Sequence, residues 1–392
     1  MSRPLTVLLL ALALLCAAVV AVQAQNPSDA APTTAEQHVE AGRRYAQARQ
    51  YDRAVEAFKA ALKLKPELAA AYHGLGAAYM SMGRHPDALE PLRTGVRLEP
   101  DDLIARLNLG LTLLALRRSD EALSEFNEAK RINPKDARVH NEIGNALHNG
   151  FGRIEEALAA YQEARRLNPN ISAVHHNIGL MLMRLGRFSE AIEPFNEALR
   201  LSPDYQNARY HLSHAYSRTG RYEEAVESWG KFLELRPRGP EALEQRAWNL
   251  MYLGGRGEEA AASARECLEV VGWRAKVAPF MALLAHFGYR QAGREAEARG
   301  MLEEAAKHFP AEVWPCQIIN YLRGEVTAKE LLEQADDPGK KTEARTYIGM
   351  DWLLKGKGSE ARAHFGWVKE YGNKQYLEFP LALAELKRLG EN

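Results

Sequence analysis

Between residues 152 and 237 the chain repeats one pattern of apolar and polar positions three times: GRIEEALAAYQEARRLNP (152–169), GRFSEAIEPFNEALRLSP (186–203) and GRYEEAVESWGKFLELRP (220–237). In the middle copy Ala191, Ile192, Phe195, Ala198 and Leu199 fall at i, i+3, i+4 and i+7 spacing, with polar residues between most of them. That spacing predicts an amphipathic helix with one apolar stripe. Glycine before the stripe and proline after it mark where the helix starts and stops.

The same phase extends well beyond these copies. Prolines stand at 66, 100, 134, 169, 203 and 237, spaced by 34, 34, 35, 34 and 34 residues, and Pro310 continues the series. Ala54, Ala88, Ala122, Ala157, Ala191 and Ala225 each precede such a proline by twelve. Four residues after each alanine comes a large side chain: Phe58, Leu92, Phe126, Tyr161, Phe195 or Trp229. Gly42, Gly76, Gly110, Gly144 and Gly179 keep step earlier in the unit. Each unit is then a pair of helices. The early glycine lets the first helix approach its partner, the alanine does the same from the second, and the large residue fills the gap. No unit buries its stripe alone, so neighbours must stack.

These residues and the 34-residue period closely resemble the tetratricopeptide repeat family. The resemblance implies an all-α fold, a right-handed superhelix (α-solenoid) of helix-turn-helix repeats, and a protein–protein interaction scaffold. Six units run over 35–239. Arg49 and Arg117 stand at the interhelix glycine position of the first and third units, and HNGFGR (148–153) carries an extra residue in the fourth. Two degenerate units follow over 240–310, with 273–278 as an insertion between them. Residues 311–392 form a C-terminal helical module with one repeat-like unit, whose Gly349, Gly356, Ala361 and Phe365 return to phase. A final helix is expected to cap the stack with Leu381, Leu383, Ala384 and Leu386. This module resembles a bacterial outer-membrane tetratricopeptide lipoprotein family that acts as an adaptor for peptidoglycan-cleaving enzymes. The carrying residues are Trp314, YLRG (321–324), YIG…LLKG (347–356) and AELKRL (384–389).

The first residues change the setting. Arg3 and the amino terminus precede an apolar run from Leu5 to Val22, broken only by Thr6, and Val22-Gln23-Ala24 offers a cleavage site before Gln25. Residues 1–24 read as a secretory signal peptide and 25–34 as a flexible leader, with an uncleaved membrane anchor as the alternative. Leu15 before Cys16 departs from a lipobox, which puts the lipid anchor of the resembled family in doubt here. The expected location is the periplasm or the exterior. Cys267 and Cys316 lie almost one and a half repeats apart and are expected to be unpaired.

Composition narrows the function. Lys+Arg and Asp+Glu are equal at 51 each and no basic run stands out, which argues against a nucleic-acid partner. No catalytic, phosphate-cradling, dinucleotide or zinc signature is present. The expected partner is a protein or an extended peptide, with no cofactor or metal, and a homodimer through a terminal helix is possible. A structural subunit of a polysaccharide-export machine is the rival reading, and an enzyme is the third.

In the resembled family the first helices line a concave groove, reached by positions 2, 5, 9 and 12 of each unit. That implies a groove of His73, Leu107, Asn141, Asn145, His148, His176, Tyr210, His214 and Trp248, with Met251 beside them. A metal site from His148, His176 and His214 is the sharper reading of its histidines. A polar hydrogen-bonding groove is the simpler one, with His140 and His175 packing at the fourth position. Asn108 and Asn177 stand at the sixth position, but the lysines of a carboxylate clamp have no counterpart.

Overall fold

A computed structural model describes residues 32–310 and 312–390. The expected signal peptide and most of the leader lie outside the described residues. Among the described residues there are twenty-one α-helices, one π-helical turn and no strand. The chain divides between Leu167 and Asn168 into two compact units.

The first unit holds α1 (Ala35–Gln47), α2 (Tyr51–Leu64), α3 (Ala69–Ser81), α4 (His85–Leu98), α5 (Leu103–Ala115), α6 (Ser119–Ile132), α7 (Ala137–Asn145) and α8 (Ile154–Leu167). Consecutive helices pack as antiparallel pairs. Thr34 opens α1 with a capping box to Gln37, and the Asp102 and Asp136 carboxylates accept backbone N–H groups at the starts of α5 and α7. The extra residue of the fourth repeat is absorbed by the π turn Ala146–Gly150, a local widening that keeps the flanking helices in phase.

The glycine–aromatic pairing is direct. A Cβ on Gly110 would lie 2.4 Å from the Phe126 ring, and Phe126 is fully buried. Arg49 and Arg117, in the place of the interhelix glycine, keep its left-handed backbone with φ of 58° and 59°. That conformation costs a non-glycine residue roughly 1 kcal/mol.

In the second unit come α9 (Ser172–Arg184), α10 (Phe188–Leu201), α11 (Gln206–Arg218), α12 (Tyr222–Leu235), α13 (Pro240–Leu253), α14 (Gly257–Val271), α15 (Ala278–Gln291) and α16 (Glu295–His308). The C-terminal part adds α17 (Cys316–Arg323), α18 (Ala328–Gln334), α19 (Pro338–Leu354), α20 (Gly358–Tyr371) and α21 (Glu378–Arg388). One device tightens the linkers of both units. The side chain six residues after a repeat proline returns to its carbonyl: Arg106 to Pro100 (2.7 Å), His140 to Pro134 (2.8 Å), His175 to Pro169 (2.7 Å) and Arg209 to Pro203 (3.0 Å). His140 and His175 are buried, so the fourth-position histidines hold linkers as well as filling space.

The C-terminal part departs from a linear stack. Helix α21 packs on α19 and α20, and also on α13. The Tyr252 hydroxyl donates to the carbonyl of Leu377 at 2.9 Å, and Arg388 donates to the carbonyl of Tyr252. A single core runs through these elements. The residues that α21 buries are Leu381, Ala382 and Leu386, with Glu378 and Glu385; Leu383 and Ala384 are only half-buried. The register expected for the cap therefore shifts, because its helix is wedged between two surfaces. Asp351, 3% exposed, ties the C-terminal part together and to α15. It accepts from Arg290 (2.8 Å), Tyr321 (2.7 Å) and Lys355 (2.7 Å). Cys267 and Cys316 are free and buried, and burial raises the Cys267 thiol to about 11.

Candidate functional site

Ring-bearing side chains concentrate on α9–α12. Positions along α11 place Tyr210, His211 and His214 on neighbouring turns, and α9, α10 and α12 supply His176, Phe195, Trp229 and Phe232. His176 lies 5.0 Å from Tyr205 and 5.4 Å from His211 between ring centroids. Tyr210 meets His214 at 4.7 Å and the edge of Trp229 at 5.5 Å; His214 meets Trp229 at 5.0 Å. In this repeat Ser213 stands twelve before Ala225, where five earlier units have glycine, and its hydroxyl donates to Ser228 at 2.8 Å.

The cluster has a floor and a rim. Trp229 is fully buried, while Tyr210 and His214 are half-buried. The Tyr210 hydroxyl donates to Glu241 at the start of α13, and His214 Nε2 lies 3.5 Å from the same carboxylate. Beside Tyr210 opens a cavity of about 700 Å³ bounded by Gln206, Asn207, His211, Phe232, Arg236 and Arg238, among others. Arg236 and Arg238 are exposed, and no ion pair engages them among the described residues.

Burial keeps the histidines uncharged. It lowers the basicity of His176, and it brings His211 down to about 4 with help from His176 and His214. It also lowers His214, against the opposing pull of Glu241. Burial and the Glu241 carboxylate push the Tyr210 phenol well up. At neutral pH the surface therefore offers neutral imidazoles and a phenol, suited to amide and apolar contact.

The remaining groove candidates divide by burial. Leu107, His176 and Trp248 are 6%, 7% and 1% exposed, which places them in the packing between helices rather than on a contact surface. Neighbouring helices cover all three. Asn145 donates to Glu142 and accepts from the Tyr161 hydroxyl at 2.8 Å, so it serves a buried phenol. Asn141 donates to the other oxygen of Glu142, and His148 rides on the π turn. His73 lies in the first unit, its Nδ1 3.3 Å from Asp102 and its ring against Gly95.

His73, Glu99 and Asp102 bring three metal-type ligand atoms within 4.8 Å of one another, a set the sequence reading missed. Asp102 already caps α5, and His73 Nε2 is buried without an acceptor. Metal on Nδ1 would put a proton on that orphaned nitrogen, whereas metal-bound histidines ordinarily donate it to a partner. The residues present suit a His–Asp hydrogen bond better than an ion.

Sequence models of repeat families match much of the chain. One described as TPR repeat matches 42–83, one described as tetratricopeptide repeat matches 73–137 and 150–205, and a third of the same description matches 206–238. No curated protein matches. Among solved structures, the chain is similar to YrrB, described as a TPR protein with an unusual peptide-binding site. The identity is 23%, over 48% of this chain and 97% of that one, with a TM-score of 0.40. It is also similar to PilF of Pseudomonas aeruginosa, at 23% identity over 52% of this chain and 91% of that one, with a TM-score of 0.46. For MamA of Desulfovibrio magneticus RS-1 the figures are 21%, 44%, 96% and 0.40.

Proposed function

Because the chain belongs to the tetratricopeptide repeat family and is a protein–protein interaction scaffold, we propose that it holds an extended partner segment, carrying an acidic side chain, against Tyr210 and His214. The observation that carries this reading is the 700 Å³ cavity beside Tyr210. Its wall pairs apolar rings with the exposed amides of Gln206 and Asn207, and its rim holds the unpaired cations Arg236 and Arg238. Amides hydrogen-bond an extended backbone, rings pack on its side chains, and a rim guanidinium selects a carboxylate. Glu241 also borders the space, but it is exposed, so water and the two rim guanidiniums offset its repulsion.

The partner is proposed to lie in the cell envelope, with this protein exported and acting as a non-catalytic adaptor in envelope biogenesis. Two features support that setting: the apolar run Leu5–Val22 with its expected cleavage before Gln25, and the C-terminal resemblance to hydrolase adaptors. No helix among the described residues is long and apolar enough to cross a membrane.

Crosslinking pull-down from envelope fractions, comparing the wild type with Asn207→Ala and Arg236→Glu, tests the surface. Both positions are exposed, so the fold should be kept within about 0.5 kcal/mol per change. The same partner should be depleted in both variants; undiminished capture would move the site elsewhere. Intact mass of the exported protein tests the leader, and a mass that retains residues 1–24 would make it an anchored scaffold instead.

A further inference from the structure

The closure of α21 onto α13 creates a second cavity, farther along α13 than the first and with no lining residue in common with it. It measures about 380 Å³ and is walled by α13, the segment leading into α15, α19 and the segment leading into α21. Trp248, Val277, Phe280, Tyr376 and Leu377 give it a largely apolar and aromatic lining. Three carboxylates, Glu244, Glu343 and Glu378, open onto the same space, against one lysine, Lys276, which is exposed at the rim.

Among the described residues no ion pair engages these carboxylates. Glu343 and Glu378 are 4% and 2% exposed. Their hydrogen bonds come from uncharged donors: the Trp314 indole to Glu343 at 2.5 Å and the Tyr347 hydroxyl to Glu378 at 2.9 Å. The groups facing Glu343 include Asp337 at the cap of its helix, Lys340, Tyr376 and, across the space, Glu378; Tyr252, Tyr347 and Tyr376 face Glu378, and Glu241, Tyr252 and Cys267 face Glu244. Lys340 is engaged by Asp336 at 2.6 Å. Buried carboxylates without a counter-ion are costly, and burial raises the proton affinity of all three.

We propose that this cavity receives an arginine side chain of a partner polypeptide. The aliphatic stem would lie on Val277, Phe280 and Leu377, and the planar guanidinium would stack on the aromatic wall while donating to Glu343 and Glu378. Guanidinium fits better than ammonium because it is planar, weakly hydrated and carries five donors, enough for two carboxylates at once. The chain already lays its own arginines on rings, as Arg345 does on Trp367 at 4.6 Å and Arg294 on Tyr289 at 5.0 Å. The partner is a polypeptide because an arginine side chain, an apolar stem carrying a guanidinium, matches apolar walls that share their space with carboxylates.

Titration calorimetry of the full chain with acetyl-Leu-Arg-Leu-amide, and with its citrulline counterpart, tests the assignment. The arginine peptide should bind at least about tenfold tighter than the neutral isostere. Its affinity should rise between about pH 6 and about pH 8.5, because the carboxylates must lose protons to pair with it. Glu343→Gln with Glu378→Gln should abolish both the preference and the pH dependence. Lys276→Glu changes only the exposed rim, leaves the fold alone and should tighten arginine binding several-fold. Equal binding of the two peptides, no binding of either at millimolar concentration, or a Lys276→Glu variant no tighter than wild type would overturn the proposal. None of these outcomes depends on the Tyr210 surface.

Discussion

Helix α21 links parts of the chain far apart in sequence, and its removal from α13 should be felt there. Leu381 is 1% exposed in the core shared by α13, α19 and α20. Leu381→Ala deletes most of a fully buried side chain, and the cost for such sites is about 2–5 kcal/mol, the upper end applying where the walls cannot collapse. Rigid helices on several sides make collapse difficult here. Tyr252→Phe attacks the same junction from the other side: it leaves the Leu377 carbonyl without its donor, worth about 1–3 kcal/mol where the group stays buried. Since both act on one junction, their costs should not add. The assay is native-state hydrogen exchange resolved by peptide. Leu381→Ala should speed exchange in α13 as well as in α19 and α20, and leave α9 and α10 as protected as before. A simple nearest-neighbour stack would confine the loss to the last pair. Unchanged protection of α13 would therefore refute the closure.

Three further outcomes follow from single sites. Gly179→Ala places a methyl 2.7 Å from the Phe195 ring and should destabilise by about 1–3 kcal/mol, whereas Gly230→Ala meets open space in mid-helix and should stabilise by about 0.5–1 kcal/mol; urea midpoints read both. His211, held at about 4 against 6.5 when unfolded, binds fewer protons folded than unfolded between those values. Its contribution is thus complete above 6.5 and lost as pH falls towards 4, and His211→Asn should shrink the acid-side drop in Tm. Glu343 shifts the opposite way, above its ordinary 4.5, so its contribution is present below 4.5 and lost as pH rises through the folded value. Glu343→Gln should gain Tm relative to wild type as pH is raised, and a constant difference would show that its carboxyl is not held protonated.

The repeat itself was legible because every unit solves the same packing problem with the same residue types. Gly179 facing Phe195 and Gly349 facing Phe365 are read from spacing alone, since a close approach needs a missing side chain and a ring to fill the gap. The groove was less legible. Position along a helix sets a residue's phase, but not how far a neighbouring helix covers it, which is why Trp248 and His176, expected in the groove, are buried. Asn145 was beyond reach for a different reason: its partner Tyr161 lies across an insertion whose π turn resets the local register. The closure of α21 was the least legible feature. Its hydrogen bonds join Tyr252 to Leu377 and Arg388 across well over a hundred residues, and no periodicity encodes a contact made once.

That contrast says where function should be sought in such a chain. A position that every unit repeats is constrained by stacking, and changing it disturbs the array whatever the partner. A position that breaks the pattern has no such duty, so its chemistry needs another explanation. Ser213 in place of the glycine, the rings of Tyr210 and His214 over Trp229, and the shared Glu241 are all departures of one repeat. Glu343 and Glu378, beside Trp248 and Phe280, are departures of the closing module, kept although burial opposes their charge. Stacking alone would be better served by apolar side chains at Glu343 and Glu378. Their cost to the fold is the physical reason to expect a cationic partner there.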